Sequence, residues 1–194
     1  MIVGVLALQG DFREHIAMLE QLDVDAVEVR TPEELRAVDA LVIPGGESTT
    51  IGRLASIYGL IEPIVARCTA GMPVLGTCAG MIFLASSTAA GHQPQLGVLD
   101  ACVRRNAFGR QVDSFEADLD VVGLDEPMHA VFIRAPWMEK IGGDVDVLAS
   151  VADASGETHP VLVRQGHILA TSFHPELTSD TRLHEMLVAL IQEA

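Results

Sequence analysis

Basic residues are scarce in this chain. Its 194 residues include 12 Lys and Arg against 27 Asp and Glu, a formal net charge of −15. A surface of that sign repels phosphate backbones and argues against duplex or single-stranded nucleic acid as a partner. Cysteine is also sparse. Cys68, Cys78 and Cys102 are widely spaced and form neither a disulfide framework nor a zinc-ligand pattern. Cys68 ends an expected helix and Cys102 lies in a strand-like stretch, so both read as small apolar residues. The start, Met1-Ile2-Val3-Gly4, lacks the basic region of a signal peptide. Residues 68–99 carry no Asp, Glu, Lys or Arg, but Pro73, Gly76, Gly80, Gly91 and Pro94 cut that stretch into core-sized pieces. A membrane span is therefore not expected, and the setting expected is the cytoplasm. What is abundant is apolar surface: 49% of the residues are hydrophobic, enough for one domain over 1–194 with a sizeable core.

The order of apolar runs gives the fold class. Ile2 to Leu8 is nearly continuous, the pattern of a strand covered on both faces. Asp11 and Glu14 have capping-box spacing before a helix with Phe12, Ile16 and Leu19 on one face. Ala26–Val29 is a second strand, Pro32-Glu33-Glu34 opens a short helix, and Ala40–Ile43 is a third strand. This β-α-β-α-β rhythm predicts an α/β fold with a parallel sheet between two helical layers. Thr49 to Arg67 reads as helix interrupted near Gly59. From Leu96 to Gly166 short β-type pieces recur, at Val98–Val103, Gln111–Leu119, Ala130–Ile133, Val145–Val151 and Val161–Val163. They are expected to extend the sheet with antiparallel strands or to form an appended hairpin. A last amphipathic helix begins near Thr178-Ser179-Asp180 and buries Leu183, Met186, Leu187, Leu190 and Ile191.

Chemistry enters at Gly76-Thr77-Cys78-Ala79-Gly80, between a strand-like run ending at Leu75 and a helix-like run from Met81. A G-x-nucleophile-x-G sequence there is the elbow of the α/β-hydrolases with Cys in place of Ser. Glycines on both sides allow the tight turn and leave room for a substrate carbonyl. The following helix N-terminus favours a thiolate at Cys78. Near the C-terminus, His174-Pro175-Glu176 follows the run Ile168–Phe173. In extended backbone, residues two apart share a side, so Glu176 can hold the His174 imidazole in one tautomer. Cys78, His174 and Glu176 then supply nucleophile, base and orienter.

Sites of open α/β sheets lie beyond the strand C-termini. Gln9-Gly10, Gly45-Gly46-Glu47-Ser48, Cys78 and His174 all follow predicted strands, so their loops should converge. Backbone N–H groups around Gly45 and Gly46, with that of Ala79, would form an oxyanion hole. Simpler readings stand beside these. Pro44-Gly45-Gly46 could be only a tight turn, Arg104, Arg105 and Arg110 a solvated face, and His15 a helix side chain over the first loop or a partner contact. His92, His129, His159, His167 and His184 have no partner motif and receive no role. A thiol hydrolase for esters or peptides, and a non-enzymatic redox or binding scaffold, remain alternative readings of the elbow.

The paired G-x-C-x-G and H-P-E motifs resemble those of the class I (triad) glutamine amidotransferases, and the resemblance runs from Val3 to Leu190. It sharpens further to a resemblance to the glutaminase subunits of pyridoxal 5′-phosphate synthase, the PdxT family. Carrying it are Leu8-Gln9-Gly10-Asp11 with Arg13-Glu14-His15, Pro44 through Thr50, Arg104 through Glu116, and Phe132 through Pro136. The last two blocks argue against a glutaminase serving imidazole glycerol phosphate synthesis. The resemblance implies a flavodoxin-like three-layer αβα domain with a mostly parallel sheet and an antiparallel extension. It implies hydrolysis of L-glutamine to glutamate and ammonia, without cofactor or metal. The ammonia would pass to a separate synthase subunit, a (β/α)₈ barrel that makes pyridoxal 5′-phosphate. By resemblance, Cys78 is the nucleophile, His174 the acid/base and Glu176 its orienter, while Gly46, Glu47, Ser48, Arg105, Ile133 and Arg134 bind glutamine.

Overall fold

Seven strands form the central sheet of the computed structural model, which describes residues 1–89, 91, 93–105, 107, 114–153 and 155–193. In chain order, the first part runs β1 (Ile2–Leu6), α1 (Phe12–Glu20), β2 (Asp25–Val29), α2 (Pro32–Arg36), β3 (Ala40–Ile43), α3 (Ser48–Ile57), α4 (Ile61–Thr69), β4 (Val74–Thr77) and α5 (Ala79–Leu84). The second part runs β5 (Ala85–Thr88), β6 (Leu99–Arg104), β7 (Phe115–Leu119), β8 (Met128–Phe132), β9 (Trp137–Ile141), β10 (Asp146–Ala152), β11 (Thr158–Gln165), β12 (Ile168–Thr171) and α6 (Arg182–Glu193). The sheet order is β10-β11-β12-β4-β3-β1-β2. From β2 to β12 every pairing is parallel, and β11 and β10 continue the sheet antiparallel. The parallel part has the flavodoxin-like order, with β12 as its fifth strand.

Strand alternation divides the core in two. In β3, Leu41 and Ile43 face one layer and Ala40 and Val42 the other. The first layer is closed by Ile51, Ile64 and Phe83 of α3, α4 and α5. The second is closed by Leu19 of α1, by Leu183 and Leu187 of α6, and by Phe132 of the β7-β8 hairpin. Both expected roles of the later segment are present: β10 and β11 extend the sheet, and β7 and β8 form a separate hairpin. Two strands were not expected. β5 and β9 flank β6 in a small sheet of their own. Residues 111–113 of the predicted strand Gln111–Leu119 lie outside the described residues.

Local details depart from expectation in three places. The capping box at Asp11 does not form: Asp11 makes no side-chain cap to α1. Its carboxylate turns toward His174, with Oδ2 3.7 Å from Nδ1. The box appears instead at α2, where Thr31 and Glu34 cap each other reciprocally. The last helix starts at Arg182, because Pro175–Leu177 forms a 3-10 turn and Thr178 is extended. In α6 the buried residues are Leu183, His184, Leu187 and Leu190, with Met186 and Ile191 half-buried against them. Among the described residues no helix is long and apolar enough to cross a membrane.

Candidate active site

The loops after β1, β3, β4 and β12 converge beyond the carboxyl end of the sheet, around a cavity of about 350 Å³. Cys78 sits at the strand-to-helix corner with φ 47° and ψ −100°. Those dihedrals are costly for a residue with a Cβ and persist only where the surroundings enforce them. Enforcement comes from β12, since the Cys78 N–H donates to Thr171 O at 2.8 Å. The positive φ thus falls on the cysteine itself. Gly76 and Gly80 serve close packing instead. A Cβ on Gly80 would fall inside the radius of Ile43 O, and one on Gly76 would press on Leu84 and on the Gly80 backbone. The helix after the elbow can approach the sheet only because both residues lack side chains.

His174 and Glu176 pair as expected, but by a different route. The residues that follow His174 form the 3-10 turn, and it is this turn that brings Glu176 Oε1 to 2.7 Å from His174 Nδ1. Both side chains are almost wholly enclosed. Burial favours a neutral His174, but the neighbouring Cys78 sulfur and the Glu176 carboxylate outweigh it and raise the imidazole to about 10. An imidazole raised that far holds its proton at neutral pH. The Asp11 carboxyl, which approaches the same imidazole nitrogen as Glu176, is pushed upward by its partial burial even though the imidazole opposes this.

Ten of the lining residues frame the predicted chemistry. Cys78, His174, Ala79, Gly46, Glu47, Ser48, Arg105, Ile133 and Arg134 all line the cavity, and Gln9 borders it. Glu176 stands behind His174. Gly45 lies against the imidazole: a Cβ there would come within 2.5 Å of His174 Cε1. Gly46 has φ 145°, a conformation that favours glycine. Arg134 has φ 47°, a second strained position on the cavity wall.

Glu47 and Arg105 form a pair rather than two separate sites. Glu47 caps α3 by accepting from the Thr49 and Thr50 N–H groups. Its burial is outweighed by these bonds and by the Thr50 hydroxyl, which hold its carboxyl down at about 2. Arg105 Nη2 donates to Glu47 Oε1 at 3.0 Å, and Nη1 to Gln93 Oε1 at 3.1 Å. Gln93, which no motif marks, also accepts from the Ser48 hydroxyl and so ties Arg105 to the loop after β3. Arg104 points elsewhere and pairs with Glu139. Arg110 and His92 lie outside the described residues; the two described arginines of that group, Arg104 and Arg105, are paired separately.

Sequence reasoning also missed what lies beneath the site. His15 does not cover the first loop. It is fully enclosed, with Nε2 3.3 Å from Glu176 Oε2 and 3.2 Å from Thr77 Oγ1, and Nδ1 2.9 Å from His184 Nε2. Burial, then the imidazoles of His184 and His174, hold His15 well below the ordinary histidine range, and burial lowers His184 to about 4. The remaining described histidines have partners away from the cavity: His129 with Glu116 and Asp118, His159 with Asp153, and His167 with Cys68 O.

Residues 5–193 match the SNO glutamine amidotransferase family. The chain belongs to that family. A pyridoxal 5′-phosphate synthase subunit PdxT from Acidothermus cellulolyticus is 61% identical over 192 residues, 97% of this chain and 93% of the relative. One of the same name from Mycobacteroides abscessus is 56% identical over 98% of this chain and 97% of its own length. A solved glutamine amidotransferase crystal structure superposes with a TM-score of 0.92 at 54% identity, covering 99% of this chain and 100% of its own. This amidotransferase therefore has the class I glutamine amidotransferase fold, over essentially the whole length of its relatives.

Proposed function

We propose that residues 1–194 form one glutaminase domain, the ammonia-producing subunit of a pyridoxal 5′-phosphate synthase. The observation that carries this reading is the shared cavity, in which Cys78 and His174 meet the loop after β3, Arg105, Ile133 and Arg134. The Cys78 thiolate attacks the side-chain amide carbon of L-glutamine, opening the C=O to an oxyanion. The N–H groups of Gly46 and Ala79, at the rim of the Gly45-Gly46 loop and the elbow, stabilise that charge; one such donor is typically worth roughly 2.7–4 kcal/mol. His174 gives its proton to the departing nitrogen, the C–N bond breaks, and ammonia leaves a thioester on Cys78. Water then attacks the thioester while His174 accepts its proton, and glutamate is released with the thiolate restored. Glu176 keeps the imidazole oriented throughout.

Arg105 receives the α-carboxylate of glutamine, and Gly46, Glu47, Ser48, Ile133 and Arg134 complete the binding wall. Ammonia passes to a separate synthase subunit with a (β/α)₈ barrel, which combines it with a pentose phosphate and a triose phosphate. The two relatives above carry the name of a subunit of that synthase. The cytoplasm is the proposed setting, consistent with three free cysteines. The deciding experiment mixes the chain with the synthase and follows glutamate release together with glutamine-dependent cofactor formation. Both should appear, and both should vanish in Cys78→Ala. Cofactor formation that needs ammonium salts and ignores glutamine would overturn the reading.

A further inference from the structure

Beneath the reacting pair runs a buried line of side chains from three distant segments: His184 of α6, His15 of α1, Glu176, and then His174. We propose that His15 is a positioning residue for this reaction, presenting an Nε2–H to the second oxygen of Glu176 while His184 fixes its tautomer. The proposal rests on the glutaminase reading above.

Proton accounting selects one arrangement. Glu176 Oε1 is taken by His174 Nδ1, and Oε2 is fully enclosed, with His15 Nε2 3.3 Å away in an ion-pair approach that is off-line for a hydrogen bond. A buried carboxylate oxygen facing a nitrogen lone pair would be repelled, whereas one facing an N–H is compensated. A doubly protonated His15 is disfavoured by complete burial and by the imidazoles around it. The proton therefore sits on Nε2, hydrogen-bonded to Thr77 Oγ1 and lying beside Glu176 Oε2. Nδ1 of His15 is then a bare acceptor, and His184 Nε2–H donates to it across 2.9 Å.

This leaves His184 Nδ1 as a lone pair, and that atom is enclosed without a hydrogen-bond partner among the described residues. The opposite assignment would place an orphaned N–H there, the rarer and costlier defect, and would set a lone pair against the carboxylate. The protons of His184 and His15 then both lie on the side toward Glu176, whose other oxygen is held by His174. Thr77, which accepts from the His15 N–H, immediately precedes the elbow cysteine, so the same contact ties the base to the nucleophile's strand.

The test uses the full-length chain with its synthase and L-glutamine as substrate. His15→Leu should lower kcat by about 10- to 100-fold, as removal of outer-shell partners does elsewhere, with KM for glutamine within about twofold. His15→Gln, whose amide can present an N–H near the Nε2 position, should recover most of that loss. A merely structural role would predict no such rescue, and full activity in His15→Leu would overturn the proposal. If His15→Leu fails to fold, two-bond ¹H–¹⁵N correlation spectra of the wild-type chain decide instead. A neutral Nε2–H tautomer for His15 at pH 7 is expected, and the Nδ1–H tautomer or an imidazolium would overturn the proposal. If wild type with synthase releases no glutamate, the glutaminase reading fails; the spectrum still decides the tautomer separately.

Discussion

His174 Nδ1 lies 2.7 Å from Glu176 Oε1, and the 3-10 turn over Pro175–Leu177 sets that distance. The turn buries the carboxylate under the sheet end, and the proline at its first position fixes the φ from which it starts. The imidazole therefore has one face committed to Glu176 and its far nitrogen left for the sulfur of Cys78.

Cys78→Ala and His174→Asn should each reduce glutamine turnover by on the order of 10³-fold or more while leaving the fold intact. Cys68 and Cys102 are not in the cavity, and their replacement should leave turnover at the wild-type level. Burial raises the Cys68 thiol to about 11. Iodoacetamide at pH 8 should therefore leave Cys68 unmodified until the chain is denatured, as peptide mass mapping would show. Wild-type turnover in Cys78→Ala would sink the nucleophile assignment.

Arg105→Ala should raise KM for glutamine more than it lowers kcat, because its proposed partner is remote from the scissile amide. Gln93→Ala should move KM in the same direction but less, since Gln93 only braces Arg105 and Ser48. An unchanged KM with a large fall in kcat would assign Arg105 to chemistry or to synthase docking instead.

Gly80→Ala should destabilise the chain by at least about 1–3 kcal/mol, the usual range for forcing atoms into a packed core. Here the obstacle is the backbone carbonyl of Ile43, which has little freedom to yield. Thermal denaturation checks this, and an unchanged Tm would mean that α5 can back away from the sheet.

Acid should weaken the fold through its buried histidines. His184 falls from an ordinary 6.5 to about 4, and His15 is also lowered, so between these values the unfolded chain binds more protons than the folded one. Their contribution is complete above pH 6.5 and is lost as pH falls toward 4; for His184 it amounts to about 3 kcal/mol at most. Urea midpoints measured from pH 7 to 4.5 should decline, and His184→Leu should flatten part of that decline. A variant with the wild-type slope would show that His184 does not titrate with unfolding.

Much of this was legible in advance, and the illegible part has physical causes. The parallel core announced itself because β1, β3 and β4 are buried on both faces and read as continuous apolar runs. β5 did not: Ser86 and Ser87 break any apolar pattern, and its place is set by pairing with β6. β9 hides behind the adjacent Glu139 and Lys140. The elbow and His-Pro-Glu were visible because each lies within five residues. The contact between His15 and His184 spans 169 positions, and no local spacing marks it. Asp11 was misread for a related reason, since a cap sequence fits it equally well and only the folded chain offers His174 as a competing partner.

The isolated chain should be a poor glutaminase that its synthase switches on. The element suited to this is the Gly45-Gly46 peptide. Its carbonyl oxygen accepts from the Asp11 N–H at 3.3 Å and packs so closely on Gly10 that a Cβ there would collide with it. One residue later, the Glu47 N–H donates to Gln9 Oε1 at 2.7 Å. The loop that carries the proposed oxyanion donor is thus fastened to the segment after β1, and rotating the peptide would break the long Asp11 bond. A partner that bound the rotated form more tightly would shift the population toward it, which is all that activation requires. Steady-state assays at saturating glutamine, with and without synthase, measure this directly, and kcat should rise in the complex. Gly10→Ala, which crowds the Gly45 carbonyl, should disturb the loop and lower activity even with synthase bound. Equal kcat in the free chain and the complex would sink the switch and leave the roles of Cys78, His174 and Glu176 untouched.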